Sequence, residues 1–181
     1  MKIVYESFKD LRALYVNQLR TLLSAEEQMV RSLPDMANMA HDEQLQEAFW
    51  KHLHETEVHV KRMEELLANM KGIDHAVAHT GPVKCKAIHA LIAEADDMMM
   101  DAREAHVKDA ALIAGAQRIE HYEIAAYGAL RHFARVLGEA RAAEVLDETI
   151  TEEQHSDQLL SSIAERVNVD AKHAHHTAGV V

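Results

Sequence analysis

The chain has 181 residues, about the length of one domain, and 48% of them are hydrophobic, which is enough to bury a sizeable core. Aromatic residues make up 4%, and there are 6 glycines and 2 prolines, so long helices are favoured over a β-sandwich or β-barrel with many tight turns. Lys and Arg number 19 against 30 Asp and Glu, a formal net charge of −11, so we expect no binding to nucleic acid and none to an anionic membrane surface.

The cellular setting follows from three further features. A single cysteine excludes an internal disulfide and a Cys-rich zinc module, and it is typical of a reducing cytoplasm. No apolar run approaches the roughly 20 residues of a membrane span, and the N-terminus lacks the apolar region of a signal peptide. We therefore expect a cytoplasmic protein. Histidine is unusually abundant, with 14 in the chain, which makes metal or proton chemistry worth testing.

Four long segments carry the apolar periodicity of amphipathic helices. In chain order they cover residues 7–33 with a continuation to 40, 42–71, 101–137 and 139–167. Pro34 either ends or kinks the first helix, because proline lacks a backbone N–H. Asp42 is the expected N-cap of the second helix, and Gly138 is expected to stop the third.

The connections between these helices predict the topology. The first and second helices, and the third and fourth, are joined by short links and should form antiparallel hairpins. Residues 72–82 read as a loop and 83–100 as a shorter helix of about 27 Å, so this connection can run the length of the bundle. The prediction is an all-α, ferritin-like up-down four-helix bundle over residues 1–167, with one long crossover containing a shorter fifth helix. Residues 168–181 are predicted to be a flexible tail whose histidines could bind metal loosely; they are His173, His175 and His176.

Each long helix carries at least one acid within or beside its apolar face, given a rotation of about 100° per residue. The inward acids are Glu26, Glu55 at the edge of its stripe, Glu120, Glu123, Glu153 and Asp157. His52 and His59 lie on the same apolar face of the second helix. A lone buried carboxylate costs several kcal/mol unless it is paired or neutralised. A cation shared by the four helices would remove that cost, and two trivalent ions would balance six carboxylates.

The spacing of these residues supports the same hypothesis and leaves one alternative open. Glu26 and Glu55 are 29 residues apart, and Glu123 and Glu153 are 30 apart, so the two hairpins look like versions of one unit. Known di-metal bundles carry Glu-x-x-His on two helices. The alternative is an acid-lined bundle whose carboxylates pair with ordinary cations, for which Arg62 and Arg131 are close enough.

The choice of ligands on the fourth helix depends on helical rotation. Glu152 and His155 spell Glu-x-x-His, but His155 falls almost opposite the apolar face. Glu153 and Asp157 are therefore the predicted ligands. On the second helix, His59 stands four residues after Glu55, one further than the pattern requires.

Four blocks of sequence are similar to one known family. The blocks LLSAEEQMVRSLPDMA, AFWKHLHETEVHVKRMEELL, DAALIAGAQRIEHYEIAAYGAL and LDETITEEQHSDQLL resemble the YciE/YciF-like family of bacterial ferritin-like stress proteins. The resemblance covers residues 7–165 and implies a rubrerythrin-like di-metal bundle, often dimeric. It implies the same acids as the rotation does, and the family often has no histidine at positions 59 and 155. The family's activity is not settled, so the resemblance implies a fold and a site more firmly than a reaction.

An oxygen-rich ligand set with one imidazole suits iron first and manganese second. In this hypothesis Glu55 and Glu153 bridge two ions, Glu26 and Glu120 are terminal ligands, and Glu123 swings between metal and solvent. The metal ligands predicted are Glu26, Glu55, His59, Glu120, Glu123, Glu153 and Asp157. No catalytic residue is assigned; the candidates to support a ligand by a hydrogen bond are Tyr127 and His52.

The functional expectation is a stress-response protein with a di-iron or di-manganese centre. Such a centre could serve an oxidoreductase that reduces peroxide or dioxygen, or a ferroxidase. The alternative is a non-catalytic structural or interaction bundle with weak or no metal binding. The expected partner is a second copy of the chain, with Trp50 a candidate for the interface.

Overall fold

The computed structural model describes residues 8–70 and 83–173, and this part of the chain consists of five α-helices without a β-strand. The helices are α1 (Leu11–Met39), α2 (Glu43–Ala68), α3 (Lys86–Asp101), α4 (Ala105–Val136) and α5 (Ala140–His173). None of the described helices combines the length and the apolar composition needed to cross a membrane.

The four long helices form the bundle and α3 packs on its outside. The chain-neighbouring pairs α1–α2 and α4–α5 make the largest contacts, while α1–α4 and α2–α5 close the ring. Helix α3 lies mainly against α4 and touches α1. The predicted ferritin-like bundle with a helical crossover is therefore confirmed.

Helix α1 continues through Pro34 to Met39, in agreement with the predicted continuation to residue 40, so the proline does not end it. It begins at Leu11, and α4 begins at Ala105, each four residues later than predicted. Helix α5 continues to His173, and so includes the first part of the predicted tail. The predicted loop 72–82, and residues 174–181 with His175 and His176, lie outside the described residues.

Polar contacts fix the start of α3 against α1 and α4. The backbone N–H of Cys85 donates to Ser24 Oγ at 3.1 Å, and Gln28 Nε2 donates to the Cys85 carbonyl at 3.1 Å. The Cys85 thiol lies 3.2 Å from the Tyr122 hydroxyl. Cys85 is buried, so it serves here as a small core residue.

Gly115 lies at a close approach of α4 to α3, and its replacement should loosen that contact. A Cβ at position 115 would lie 2.5 Å from the Ala95 Cβ and 3.3 Å from the Ala95 Cα, whereas one at Gly128 would meet nothing within 4 Å. Both Gly→Ala changes gain helix propensity of about 1 kcal/mol, but Gly115→Ala also incurs an overpacking cost of roughly 1–3 kcal/mol. In urea unfolding, Gly128→Ala should exceed Gly115→Ala in stability by about that cost. Equal stabilisation of both variants would contradict the close packing of α3.

Candidate metal centre

Buried histidines and carboxylates from all four long helices meet at the middle of the bundle. One atom from each member of the first cluster lies within 4.8 Å of one from every other member; these members are His52, Glu120, Glu123 and Glu153. The same holds for a second cluster, which consists of Glu26, His59 and Glu153. All are buried, and the shared residue is Glu153. The two clusters are therefore halves of one site.

The first cluster is centred on the His52 ring. Its Nε2 lies 3.2 Å from Glu120 Oε1 and 3.8 Å from Glu153 Oε2. Ser156, a buried residue of α5, donates a hydrogen bond from its hydroxyl to Glu120 Oε1 at 3.1 Å. Glu123 is on the next turn of α4 and completes the cluster.

The second cluster is centred on the His59 ring, two turns along α2 from His52. Its Nδ1 lies 3.0 Å from Glu153 Oε1 and 3.6 Å from Glu26 Oε2. The other Glu26 oxygen accepts a hydrogen bond of 2.5 Å from the Tyr127 hydroxyl. The Tyr127 ring also contacts the His59 ring edge-on, so the residues of this cluster are held by close packing.

Several buried polar atoms here lack a hydrogen-bond partner. They are both ring nitrogens of His52, His59 Nδ1, Glu120 Oε2, Glu123 Oε1 and both carboxylate oxygens of Glu153. Such atoms are costly unless something neutralises them. With metal–ligand bonds of about 2.1 Å, two ligands of one ion are about 3.0 Å apart at right angles and at most about 4.2 Å apart. The distances from 3.0 to 3.8 Å found here lie in that range, so the donor set fits metal ions.

Burial and crowding change the charge state of these acids. Burial, and then the neighbouring carboxylates Glu26 and Glu153, raise the pKa of Glu123 well above its ordinary value. Burial raises the pKa of Glu120 to about 8 against the opposing effect of His52, and burial also raises that of Glu153. Without a cation Glu120 therefore favours the protonated form near neutral pH, and burial acts in the same direction on Glu123 and Glu153. A bound cation would have to displace protons held by these groups.

A second layer of charge lies outside the buried histidines. Glu152 Oε2 is 2.8 Å from His59 Nε2, and both Glu152 oxygens accept hydrogen bonds from Arg62. Burial lowers the pKa of His59, but the contacts with Glu152, Glu153 and Glu26 outweigh it and raise the pKa to about 12. The contacts with His59 and Arg62 lower the pKa of Glu152 to about 2. His59 is thus enclosed by carboxylates on both sides of its ring.

Two predicted ligands lie at the rim of the site. Glu55 accepts a hydrogen bond of 2.6 Å from Lys51, and its other oxygen is 3.9 Å from His52 Nδ1. The nearby His52 and then Lys51 lower the pKa of Glu55 to about 2. Asp157 lies 3.4 Å from both Gln117 Nε2 and His121 Nε2. Neither carboxylate belongs to the two clusters in this structure.

The structure thus brings together five of the seven predicted ligands and adds one residue. The five are Glu26, His59, Glu120, Glu123 and Glu153. The addition is His52, for which the sequence predicts only a supporting hydrogen bond. The signal in the sequence is its spacing of seven residues from His59, because residues seven apart share a helix face. His155 is exposed, as its rotation predicts. Arg62 and Arg131 pair with Glu152 and Asp147 rather than with the central acids.

Comparison with known proteins gives one family. The sequence profile described as a domain of unknown function, DUF892, matches residues 10–172. The chain belongs to this family. Its relatives include protein YciF of Escherichia coli K12, which is 35% identical over 158 residues, covering 87% of this chain and 92% of that protein. The resemblance to the YciE/YciF-like family is therefore confirmed.

Solved structures agree with the assignment. The crystal structure of the E. coli stress protein YciF matches with a TM-score of 0.82 and 35% identity, covering 88% of this chain and 98% of that one. YcfI from Rhodopseudomonas palustris, provisionally described as a structural protein, matches with a TM-score of 0.80 and 30% identity over the same shares. The fold is thus shared over nearly all of the described bundle.

Proposed function

We propose that this chain is a metal-binding ferritin-like stress protein that holds two iron or manganese ions between its four long helices. The observation that carries the proposal is the set of unpartnered buried nitrogen and oxygen atoms in the two clusters. Helix packing alone gives no reason to bury so many unsatisfied polar atoms at one depth, whereas metal coordination would satisfy them. Glu153, which belongs to both clusters, would bridge the two ions.

Charge balance favours two divalent ions in the resting state. The two clusters contain four carboxylates, those of Glu26, Glu120, Glu123 and Glu153, and two imidazoles. Four negative charges are balanced by two divalent ions, whereas the six carboxylates of the sequence prediction would need two trivalent ones. Glu55 and Asp157 at the rim would supply the two further negative charges that a pair of trivalent ions needs. Both residues therefore stay predicted ligands.

The ligand chemistry favours redox metals. Carboxylate oxygens with two imidazole nitrogens suit iron and manganese, whereas thiolate-rich sites suit zinc and Cu(I). When bound, two such ions would supply or accept electrons in the reduction of peroxide or dioxygen, or in the oxidation of Fe(II). Tyr127 would hold Glu26 in place through its short hydrogen bond.

A pocket between α2 and α5 would give a small oxidant an approach to the site. It has a volume of about 310 Å³ and is lined by Glu55, Thr151, Glu152, Gln154, His155 and Gln158. Two of these, Glu55 and Glu152, are next to the outer nitrogens of His52 and His59. Peroxide and dioxygen are small enough to enter this pocket.

Anaerobic reconstitution with Fe(II) or Mn(II) tests the proposal. After removal of unbound metal, we expect two ions per chain, and peroxide consumption by the loaded protein that is absent from the metal-free protein. Less than about 0.2 equivalents of either metal after reconstitution would reject the metal centre. Two bound ions with no turnover of peroxide, dioxygen or Fe(II) would retain the metal site and reject the oxidoreductase.

A non-catalytic structural role is the second candidate, and the provisional description of YcfI favours it. It would be supported by failure to bind metal together with a stable assembly.

We also propose that the protein is cytoplasmic and that it forms a homodimer. The dimer is supported by Trp50 and Val58 on α2, which are 41% and 42% exposed and could be covered by a second copy. The mass of the protein in solution would test the dimer.

A further inference from the structure

We propose that Glu152, held by Arg62, is a positioning residue that keeps a proton on His59 Nε2 and so makes Nδ1 the metal-binding nitrogen. This inference rests on the proposed metal centre and assigns a role to two residues outside both clusters. It also gives a role to Glu152, the first residue of the sequence Glu-x-x-His on α5, although His155, the last residue of that sequence, is exposed to solvent.

The His59 ring has a different neighbour at each nitrogen. Nε2 faces the outer carboxylate, with Glu152 Oε2 at 2.8 Å. Nδ1 faces the interior, where Glu153 Oε1 and Glu26 Oε2 lie at 3.0 and 3.6 Å, and it has no hydrogen-bond partner of adequate geometry. Nε2 therefore has a partner in Glu152, whereas Nδ1 is directed at the proposed metal centre.

Glu152 is itself fixed in orientation. Arg62 contacts both of its oxygens, one at 3.1 Å and the other by a shorter hydrogen bond, and this two-point contact restricts rotation of the carboxylate. Arg62 also donates to Thr149 Oγ1 at 3.1 Å. Since His59 and Arg62 are one turn apart on α2, and Thr149 and Glu152 one turn apart on α5, the four side chains interlock across the helix pair.

The chemical consequence concerns the tautomer. A neutral imidazole carries one N–H, and the ring nitrogen without it is the one able to bind a metal. A carboxylate cannot donate, so Glu152 accepts the Nε2 proton at 2.8 Å. Nδ1 also faces carboxylates, at 3.0 and 3.6 Å, so a cation that binds between them would displace the Nδ1 proton and take the lone pair there, while the proton on Nε2 stays on Glu152's side of the ring. A carboxylate at the far nitrogen of a metal-bound histidine also makes the ring a stronger ligand, and loss of such a partner lowers metal affinity roughly 10–100-fold.

Metal affinity of the full chain tests this role, with Zn(II) as a diamagnetic probe and Mn(II) as a redox-relevant one. We expect Glu152→Ala to weaken both affinities roughly 10–100-fold in chelator competition. The metal affinity of Glu152→Gln, which keeps an acceptor oxygen, should lie between the affinities of Glu152→Ala and the wild type. The matched control is Glu148→Ala, one turn earlier on α5, whose carboxylate is 55% exposed and 4.0 Å from Arg62; its affinity should stay within about twofold of wild type.

Nitrogen-15 NMR of the Zn(II)-loaded protein supplies a readout that a purely structural role would not change. In the wild type, His59 should show a metal-bound Nδ1 and a protonated Nε2, and the signal is assigned by its loss in His59→Asn. Binding through Nε2, or a Glu152→Ala affinity within twofold of wild type, would overturn the inference. If the wild type bound neither metal, the metal centre itself would be rejected. That result is distinct from a wild type that binds metal with an affinity that Glu152→Ala does not change.

Discussion

Replacing Glu153 with glutamine is expected to abolish metal-dependent stabilisation of the protein. Glu153 is the residue shared by both clusters, so the change removes the one negative charge that the two ions would share while keeping the side-chain volume. A ligand present at 100 times its dissociation constant stabilises the fold by about 2.7 kcal/mol per site. For a domain of this size each filled site therefore corresponds to a rise in Tm of roughly 5–10 °C. Thermal unfolding with and without Mn(II) should show the rise in wild type only.

The metal-free state gives a second comparison for the same change. Both Glu153 oxygens are buried without a hydrogen-bond partner, which favours the neutral glutamine, but the change also removes the carboxylate that lies 3.0 Å from His59 Nδ1. The two effects oppose each other, so the metal-free variant should be close in stability to the metal-free wild type. Glu148→Gln on the same helix is the control, because that carboxylate is half-exposed and should leave the Mn(II) effect intact. A variant at position 153 that retained two ions and the full rise in Tm would show that Glu153 is not the bridge.

The fold could be predicted because its signals are local. Asp42 caps α2 by accepting a hydrogen bond of 3.1 Å from the Leu45 N–H, as expected for an N-cap. Gly138 takes a positive φ of 75° just after α4, the left-handed conformation that ends many helices. The end of α5 was missed for a physical reason. Residues 168–173 form a largely solvent-facing turn of helix, and such a turn needs no apolar periodicity.

The site could be predicted only as far as helical rotation allows. Rotation identifies which residues face inward, and it selected Glu153 over Glu152 for the centre. It does not give depth or side-chain conformation, so it could not show that Glu55 turns outward to Lys51. Nor could it show that a His52 nitrogen lies within the first cluster, because one buried histidine on an apolar face is usually satisfied by the core. That assignment depends on contacts between α2, α4 and α5.

Asp109, which the sequence analysis did not select, joins three helices at one end of the bundle. It is a buried residue on α4, and its two oxygens accept hydrogen bonds from the backbone N–H groups of His41 and Asp42, at 2.8 and 3.0 Å. Asp42 in turn lies 2.5 Å from Arg166 on α5. The link between α1 and α2 is therefore held by a carboxylate distant in sequence, which no local pattern reveals.

Asp109→Ala is accordingly expected to destabilise the fold by about 3 kcal/mol, since two hydrogen bonds to a charged acceptor are lost and two N–H groups are left unpaired. Asp109→Asn should cost less, because its amide oxygen can still accept one of them. Chemical unfolding measures both, and exposed Asp101→Ala at the end of α3 is the control, with a change within about 0.5 kcal/mol. Asp109 lies 11 residues, or about 16 Å of helix, from Glu120, so metal stoichiometry should be unchanged. Loss of metal with little loss of stability would mean that Asp109 acts on the centre rather than on the helix connection.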